Sequence, residues 1–565
     1  MEKLYKTIIK HRILILILVL TIPALIPLLR SDYFHFSDEP HIANLYQMVR
    51  AIASGQFPPR WAPDMSFGYG YPLFNFYYPL PFYLGSVFYY LTGSLVVSLK
   101  LLFFITVPIS ALFMYKWLRL HTSNFNSIVG VLVYTYTPYR AVDLYVRGAL
   151  GELFSFIFFP LAAYFTYLVM KKGLSRHVGM LGITISLFIL SHNLAPLFFI
   201  PWVGFYALAL VFKGNSIRNF FKVVAGFLLG LFGSAYFWLP ALIEKVNLIG
   251  KTPFNYLDHF PFIKQLILPS WGYGASHPGI YDDISFQIGL ANLALILSVL
   301  IIIYKTGKKI QSLIIPLFFV ISIGLVVLLM NIRSVPLWEM STLAPYIQFP
   351  WRLLLLTTFL SSCFVIFIDS KKKYSQIFLV GLIIISIVNS FLYFKPSEYY
   401  ATNDEYFLKR FFADRTAEGK RSELSKEYLN YSEDYLLLPL WIKQRPSQLP
   451  SSKIFSDDVG IFDIREINPV SYSAKVDSKT GGKVSAAIYY YPGWKVKVDN
   501  EDVVIEIDEP FGNISFNVEE GNEDISVYWS ETPFRKASNY LSIFGVIIAV
   551  GLAISDTRKK LLKAR

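Results

Sequence analysis

Twelve apolar runs divide the chain, at 13–29, 97–117, 125–138, 152–170, 178–191, 194–212, 221–240, 286–304, 311–330, 350–368, 375–394 and 538–555. A helix needs about 20 apolar residues to cross the hydrocarbon of a bilayer. Most runs meet that length, and those at 125–138 and 178–191 are the shortest. A further stretch, 73–92, is strongly aromatic and interrupted by Pro79 and Pro81. Parity decides its reading. The short segments KWLRLH, KKGLSRH, KGNSIRNFFK, KTGKK, DSKKK and TRKKLLKAR are all basic. They fall on one side of the membrane, with the basic start (Lys3, Lys6, Lys10, Arg12), only if 73–92 does not cross. Basic loops face the cytoplasm. The pattern predicts twelve crossings, both termini cytoplasmic, and a re-entrant or interfacial 73–92. The first run lacks a small-residue cleavage site and reads as a retained helix.

The outer side then receives loops at 30–96, 139–151, 241–285 and 331–349, and the whole region 395–537. That region opens with a charged, helix-like stretch, 403–428. It continues in alternating runs: FDIREI, VSYSAKVD, KVSAAIYY, WKVKVDN, DVVIEID, NISFNV and DISVYW. Turn pairs Gly481-Gly482, Asp499-Asn500 and Gly521-Asn522 separate several of them. Period-two alternation between turn signals predicts a small antiparallel β-sandwich. The fold expected is a polytopic α-helical membrane region, 1–394, an extracytoplasmic α+β domain, 395–537, and a last helix with a basic tail, 538–565.

Composition agrees. Of 565 residues, 54% are hydrophobic and 16% charged. Soluble domains carry roughly 25% charged residues. The net charge of +13 is accounted for by the basic loops and gives no reason to expect nucleic acid. One cysteine, Cys363, excludes an intrachain disulfide and a cysteine metal cluster. The spans hold almost no ionisable residues at mid-depth, which argues against a proton-coupled carrier. No phosphate-cradling G-x-x-x-x-G-K-[ST] loop is present, so the chain does not drive ATP-powered transport by itself.

The polar chemistry gathers at the outer face. Ser37-Asp38-Glu39-Pro40-His41 follows the first span. Ser37 or Asp38 suits an N-cap and Pro40 a first turn. Ile42, Leu45, Tyr46, Val49 and Ile52 recur behind them at helical spacing, so an interfacial amphipathic helix begins beside two carboxylates. Asp38 either caps that helix or is held ionised at its start, as a general base or metal ligand requires. Glu39 and His41 could assist a divalent cation or orient a substrate, and His35 with His41 could hold zinc. A second cluster is Tyr139, Arg140, Asp143, Tyr145, Arg147 and Glu152. A third is Ser191-His192-Asn193, in a tight outer turn. A fourth is Phe349-Pro350-Trp351-Arg352, where a helix start and an arginine suit either a phosphate or an interfacial anchor. Lys100, Lys245, Lys251 and Arg333 add positive charge on the side where loop charges are normally sparse. The aromatics from Tyr69 and Tyr71 to Tyr78 read as a stacking surface for sugar or polyprenyl, or as a membrane-interface belt.

The stretches SDEPHI (37–42), YGYPLFNFYYPLPFYLG (69–85), PYRAVDLYVRGALGELF (138–154), LSHNLAP (190–196), QFPWRLL (348–354), YLLLPLWIK (435–443) and YYYPGWKVKVD (489–499) together resemble a group of prokaryotic membrane proteins called 6-pyruvoyl-tetrahydropterin synthase-related, akin to the YfhO-like family. More broadly, the layout is similar to the GT-C superfamily of membrane glycosyltransferases. The resemblance implies inverting glycosyl (hexosyl) transfer on the extracytoplasmic face, from a polyprenyl phosphate or pyrophosphate donor to a glycan, lipid or protein acceptor of the cell envelope. It assigns the base to Asp38, with Glu39 as second candidate. It assigns the lipid phosphate to Arg352, with Arg147 as second candidate. The outer-face clusters themselves offer His41, Glu152, His192, Asn193 and Tyr71 as further substrate-binding residues. Relatives that use a metal often carry Asp-x-Asp or Glu-x-Asp where this chain has Asp-Glu, so a Mg or Mn ion on Asp38 and Glu39 stays open. Two other functions fit the same layout: a transporter or flippase of lipid-linked glycans, and a non-catalytic envelope scaffold.

Overall fold

A computed structural model describes residues 2–250, 255–306, 310–341, 347–400, 402–412, 437–447 and 449–563. Helices occupy all twelve apolar runs. They are α1 (Glu2–Thr21), α4 (Leu95–Leu118), α5 (Asn124–Thr135), α6 (Leu150–Lys172), α7 (Ser175–Ile189), α8 (Ala195–Phe212), the pair α9 (Ile217–Gly233) and α10 (Ala235–Glu244), α11 (Leu290–Thr306), α12 (Ile310–Met330), α13 (Leu354–Cys363) with a 3₁₀ turn at each end, α14 (Lys373–Tyr393) and α16 (Pro533–Lys563). Between α1 and α4 lie α2 (His41–Ala53) and α3 (Leu80–Thr92), and α15 (Asp404–Phe411) follows α14. The chain is a polytopic α-helical membrane protein with a β-sheet domain near its C-terminal end.

Among the described residues, seven helices are long and apolar enough to cross a membrane, eight if α9 and the α10 segment count as one span. The segments Arg12–Ala24, Ser175–Ile189 and Leu290–Lys305 are apolar but shorter. The apolar run at 221–240 departs from a straight helix. It bends by 70° between α9 and α10, at Gly233-Ser234, a residue pair where helices commonly kink. There Gly233 packs directly on Gly545 of α16. The aromatic stretch 73–92 holds a one-turn helix, Leu73–Phe76, and α3. The 13 residues of α3 rise only about 20 Å, short of the hydrocarbon thickness. Isoleucines 377, 384 and 387 of α14 and 543 and 547 of α16 are exposed, as lipid-facing positions are.

The C-terminal domain is a sandwich of two antiparallel sheets. One has the order β3 (Ile454–Phe455), β6 (Gly482–Tyr489), β10 (Asn513–Val518), β9 (Glu506–Asp508). The other has the order β4 (Gly460–Asn468), β5 (Ser471–Ser478), β11 (Gly521–Trp529), β7 (Trp494–Val498), β8 (Glu501–Asp502). Each predicted strand is present, with DVVIEID divided between β8 and β9. Asp499 and Asn500 both take positive φ, 48° and 69°, as the two-residue hairpin from β7 to β8 requires. Along β5 buried Tyr472, Ala474 and Val476 alternate with more exposed residues. β6 instead is buried from Val484 to Tyr489, because its outer face lies on the first outer loop. There Ser66 Oγ and Tyr489 Oη hydrogen-bond at 2.8 Å, and the Tyr69 ring packs on Tyr489. A two-stranded pairing of β1 (Tyr33–Phe34) with β2 (Tyr399–Tyr400) joins the same loop to the segment after α14. The helix-like stretch at 403–428 yields α15, capped by the Asn403 side chain on the Tyr406 N–H at 3.0 Å. Residues 413–436, which include the rest of that stretch and the first two residues of YLLLPLWIK, lie outside the described residues, as does Lys251.

Candidate active site

The first outer loop is stapled to the turn before α6. Ser37 and Asp38 N–H groups donate to the carbonyls of Val146 and Arg147, at 3.1 and 2.8 Å. That turn, Val142–Arg147, is π-helical and ends at Gly148 with φ +66°. A Cβ there would sit 2.1 Å from the Phe36 ring, so glycine is needed for the staple to close. π-helical turns recur at functional sites because they re-aim side chains. Here Arg147 and Asp143 are turned toward Glu152, in the first turn of α6.

The expected cap on α2 is not made by Ser37 or Asp38. The helix starts at His41 behind Pro40, with no side-chain cap. The 37–40 turn uses backbone carbonyls instead, Asp38 O accepting from His41 N–H at 3.2 Å. The Asp38 carboxylate therefore stays uncommitted and one-third exposed, with His41 Nε2 4.0 Å from its Oδ2. Its neighbour is the reverse. Glu39 is buried, and its oxygens are taken by His35 Nδ1 (2.6 Å), Tyr400 Oη (3.1 Å) and Arg410 Nη2 (3.2 Å). The two carboxylates do not form a cation-binding pair, and so do not fit a shared Mg or Mn ion. Among the described residues, no three His, Cys, Asp or Glu side chains converge as a metal site.

The second cluster is compact and buried. Arg147 Nη1 lies 2.7 Å from Asp143 Oδ1 and 2.8 Å from Glu152 Oε1. Tyr139 Oη donates to Glu152 Oε2 at 2.6 Å, and Arg352 Nε faces Glu152 Oε1 at 3.4 Å. The Arg147 guanidinium also lies 4.7 Å from the Trp351 ring. Glu152 has several donors, whereas Asp143 Oδ2 has no hydrogen-bond partner. Burial, then the neighbouring Glu152, pushes the Asp143 carboxyl well above the ordinary carboxylate range.

An aromatic column links this cluster to Asp38. Tyr77 and Tyr78 stack at 4.5 Å, and Tyr78 stacks on His192 at 5.7 Å and 16°. The Gly151 N–H donates to Tyr78 Oη (3.2 Å), which lies 3.4 Å from Tyr77 Oη, itself 3.5 Å from His41 Nδ1. His41 is buried, and its pKa is lowered mainly by that burial. Asn193 donates to Phe76 O at 2.7 Å, fixing the tyrosine segment against the turn before α8.

Glu152, His192 and Arg352 meet in a narrow cleft, whose other walls are Leu194, Ala195, Phe198, Ile347, Phe349, Leu353 and Leu355. The surface that these residues expose to the cleft is apolar. Arg352 also donates to Ile347 O and Gln348 Oε1, both at 3.2 Å. His259, from the outer loop before α11, packs on Phe349 at 4.7 Å.

The structure thus gathers Asp38, His41, Arg147, Glu152, His192, Asn193 and Arg352. Glu39 stands beside them as an anchor. Tyr71 is placed elsewhere: it is buried in an antiparallel bridge with Ala62, in the loop that carries the β-domain. Of the aromatic stretch, Tyr77 and Tyr78 reach the cluster. Their doubled tyrosine before Pro79 is a visible but weak signal. Nothing in the sequence pairs Tyr400 and Arg410 with Glu39.

A family described as 6-pyruvoyl-tetrahydropterin synthase related domain, membrane protein, matches residues 74–397. The chain belongs to that family. The matched span holds Tyr77, Tyr78, Arg147, Glu152, His192 and Arg352, and stops short of Asp38 and the β-domain. An uncharacterized protein of Lactococcus lactis subsp. cremoris (strain MG1363) is 27% identical over 240 residues, 40% of this chain. The match spans 39% of that relative's length. Among solved structures, the arabinofuranosyltransferase AftD from Mycobacteria is similar at a TM-score of 0.45 and 12% identity, over 70% of this chain and 28% of AftD. The Archaeoglobus fulgidus oligosaccharyltransferase in its apo form gives 0.42 and 14%, over 80% and 62%.

Proposed function

We propose that this protein is an inverting glycosyltransferase that takes a sugar from a polyprenyl-phosphate-linked donor to an envelope acceptor. The observation that carries the reading is the arrangement of Asp38 and the cleft. An uncommitted carboxylate stands at one end of an aromatic column, and a cleft with apolar walls and an arginine at its head lies at the other. A lipid-linked donor needs both parts: a cation for phosphate and an apolar surface for the chain.

The residues divide the work as follows. Arg352, with His192 beside it, holds the donor phosphate while the prenyl chain follows the apolar wall toward lipid. Asp38 accepts the proton of the acceptor hydroxyl. The acceptor oxygen forms a bond to C1 of the sugar from the face opposite the phosphate, and the bond from C1 to the phosphate oxygen breaks. Its electron pair leaves on the polyprenyl phosphate, where Arg352 offsets the developing charge. Configuration at C1 inverts. The loop charges support placing this site on the outer face of the plasma membrane, with both termini in the cytoplasm.

The test is transfer of labelled sugar from a polyprenyl-phosphate donor by the purified full chain in lipid. Asp38→Asn is expected to lower turnover by about 10²–10⁴-fold while lipid phosphate still binds. Full turnover in that variant would remove Asp38 as the base. Movement of labelled lipid across vesicles without a new glycosidic bond would favour a flippase instead.

A further inference from the structure

His41 opens α2, three residues after Asp38. Its ring is buried, and Nε2 makes no hydrogen bond although it stands 4.0 Å from Asp38 Oδ2. The hydrogen bonds on the other side of the ring fix which nitrogen carries the proton. They begin at the Gly151 N–H, in the first turn of α6, where amide groups have no acceptor within the helix. That N–H donates to Tyr78 Oη at 3.2 Å, so Tyr78 turns its own proton to Tyr77 Oη, at 3.4 Å. Tyr77 in turn donates to His41 Nδ1, at 3.5 Å. A ring nitrogen that accepts a hydrogen bond does not carry the proton, so in the neutral imidazole the proton lies on Nε2.

The surroundings agree. With its proton on Nε2 the ring presents a donor to the Asp38 carboxylate, whereas the other tautomer would aim a lone pair at it. Burial keeps the ring neutral by lowering its pKa. Arg147 adds to that effect, and Asp38 and the Gly148 carbonyl oppose it. The positive end of the α2 dipole also disfavours a second ring proton. The rings of Tyr77 and Phe82, at 6.3 and 5.9 Å, wall the imidazole in.

We infer that His41 is the positioning residue of Asp38: its Nε2–H holds Oδ2 of the carboxylate and so presents Oδ1 to the acceptor hydroxyl. The nitrogen is covered and does not reach a substrate, so it acts through Asp38. The Asp38 side chain is one-third exposed, and a turn of its carboxylate closes the gap to hydrogen-bond length, about 2.9 Å. The hydroxyls behind the ring are an anchor and not a proton path, because they end on an amide N–H, which accepts nothing. The proton that Asp38 removes therefore stays on its carboxyl and leaves by its exposed side. The anchor stands next to Glu152, so the orientation of the base is tied to the wall of the cleft. The inference rests on the reading of Asp38 as the base of sugar transfer.

Two substitutions separate the ring nitrogens. In His41→Gln the amide NH₂ reaches the position of Nε2 and keeps a donor for Asp38. In His41→Asn the shorter side chain reaches only the position of Nδ1 and leaves Asp38 without one. Turnover of labelled sugar by the full chain in nanodiscs is expected to fall about 10–100-fold in His41→Asn, with the donor KM changed by less than about twofold, and to fall less than about fivefold in His41→Gln. In an Asp38→Asn background His41→Asn is expected to cost nothing further, because residues that act as a unit are not additive. A histidine that only supports the fold would instead lower the melting temperature in both variants, and turnover by the same factor with or without Asp38. Wild-type turnover in His41→Asn, or equal losses from it in the two backgrounds, would overturn the inference. Full turnover in Asp38→Asn would remove the base itself, and with it the reading on which the inference rests. A second measurement needs neither sugar transfer nor a histidine variant. In the full chain carrying ¹⁵N-labelled histidine, one neutral imidazole protonated on Nε2 is expected to shift its resonance in Asp38→Asn. A proton on Nδ1 of that ring, or no histidine resonance that moves, would overturn the inference even if the chain transfers no sugar.

Discussion

Arg535 lies against both carboxylate oxygens of Glu244, Nε 2.9 Å from Oε1 and Nη2 2.8 Å from Oε2, with the guanidinium fully buried. The pair spans three parts of the fold. Glu244 ends α10, Arg535 opens α16, and the β-domain supplies Tyr491 Oη to Glu244 (3.1 Å) and Pro492 O to Arg535 (2.8 Å). Asn75 of the first outer loop also donates to Glu244, at 2.9 Å. Removing one member strands a buried charge, which costs about 3–5 kcal/mol. Arg535→Ala and Glu244→Ala are each expected to lower the unfolding midpoint in detergent strongly, and the double variant to be less damaged than the sum. Additive losses in that cycle would show that the two side chains act separately.

The adjacent carboxylates Asp38 and Glu39 are expected to fail in different ways. Asp38 is committed to no hydrogen bond from a helix cap, so Asp38→Asn changes turnover and leaves thermal stability near that of the native chain. Glu39 ties β2 and α15 to the first outer loop through Tyr400 and Arg410, so Glu39→Ala removes the buried acceptor that joins them and costs about 1–3 kcal/mol. Paired measurements of melting and sugar transfer separate the two. A stable, inactive Glu39→Ala beside an active Asp38→Asn would exchange their roles.

Much of this layout was legible in the chain because it is periodic. Each apolar run became a helix, and the alternating runs after 460 became strands at the positions their turn pairs dictate. Charge on short loops placed Asp38, His192 and Arg352 together, and the contacts through Tyr77 and Tyr78 join them. Roles within a cluster were less legible. Asp38 and Glu39 are neighbours of the same chemical type, and only tertiary partners 361 and 371 residues away make one an anchor. The break in the run at 221–240 also escaped, since it depends on Gly233 meeting Gly545 across two helices. Tyr71 and Tyr78 belong to the same aromatic stretch, yet one pairs with the backbone of Ala62 and the other stacks on His192. Composition cannot distinguish them.

Asp143 supplies a pH test. Its carboxyl is raised in the folded protein by burial and by Glu152, so the folded state holds a proton that the unfolded chain releases near its ordinary pKa. Below that ordinary value both states are protonated and nothing is lost. As pH rises above it the unfolded state gains by ionising, and the native fold loses stability until the raised pKa is passed. Asp143→Asn keeps an oxygen for Arg147 and removes the titration. Its stability relative to the unmodified chain is expected to improve as pH rises above the ordinary carboxylate range. Parallel stability curves for the two proteins would show that Asp143 is ionised in the fold.

Close helix packing gives the last prediction. A Cβ on Gly179 of α7 would sit 2.3 Å from the carbonyl oxygen of Ala549 and 2.5 Å from the backbone nitrogen of Ala553, both on α16. These are backbone atoms, so no side-chain rotation relieves the clash, and the two helices must separate. Small residues at such crossings let transmembrane backbones approach closely. Gly204 of α8 is a fair control, because its Cβ would meet nothing nearer than the Phe227 ring at 3.7 Å. Alanine has the better intrinsic helix propensity at both sites, by about 1 kcal/mol. Propensity alone would therefore stabilise both variants. Gly179→Ala is instead expected to destabilise by about 1–3 kcal/mol, because overpacking at a rigid backbone outweighs the propensity gain. Gly204→Ala is expected to be neutral or mildly stabilising. Thermal or denaturant unfolding of the two variants in the same detergent decides it. A Gly179→Ala protein as stable as Gly204→Ala would mean that α7 and α16 stand farther apart than their backbones do here.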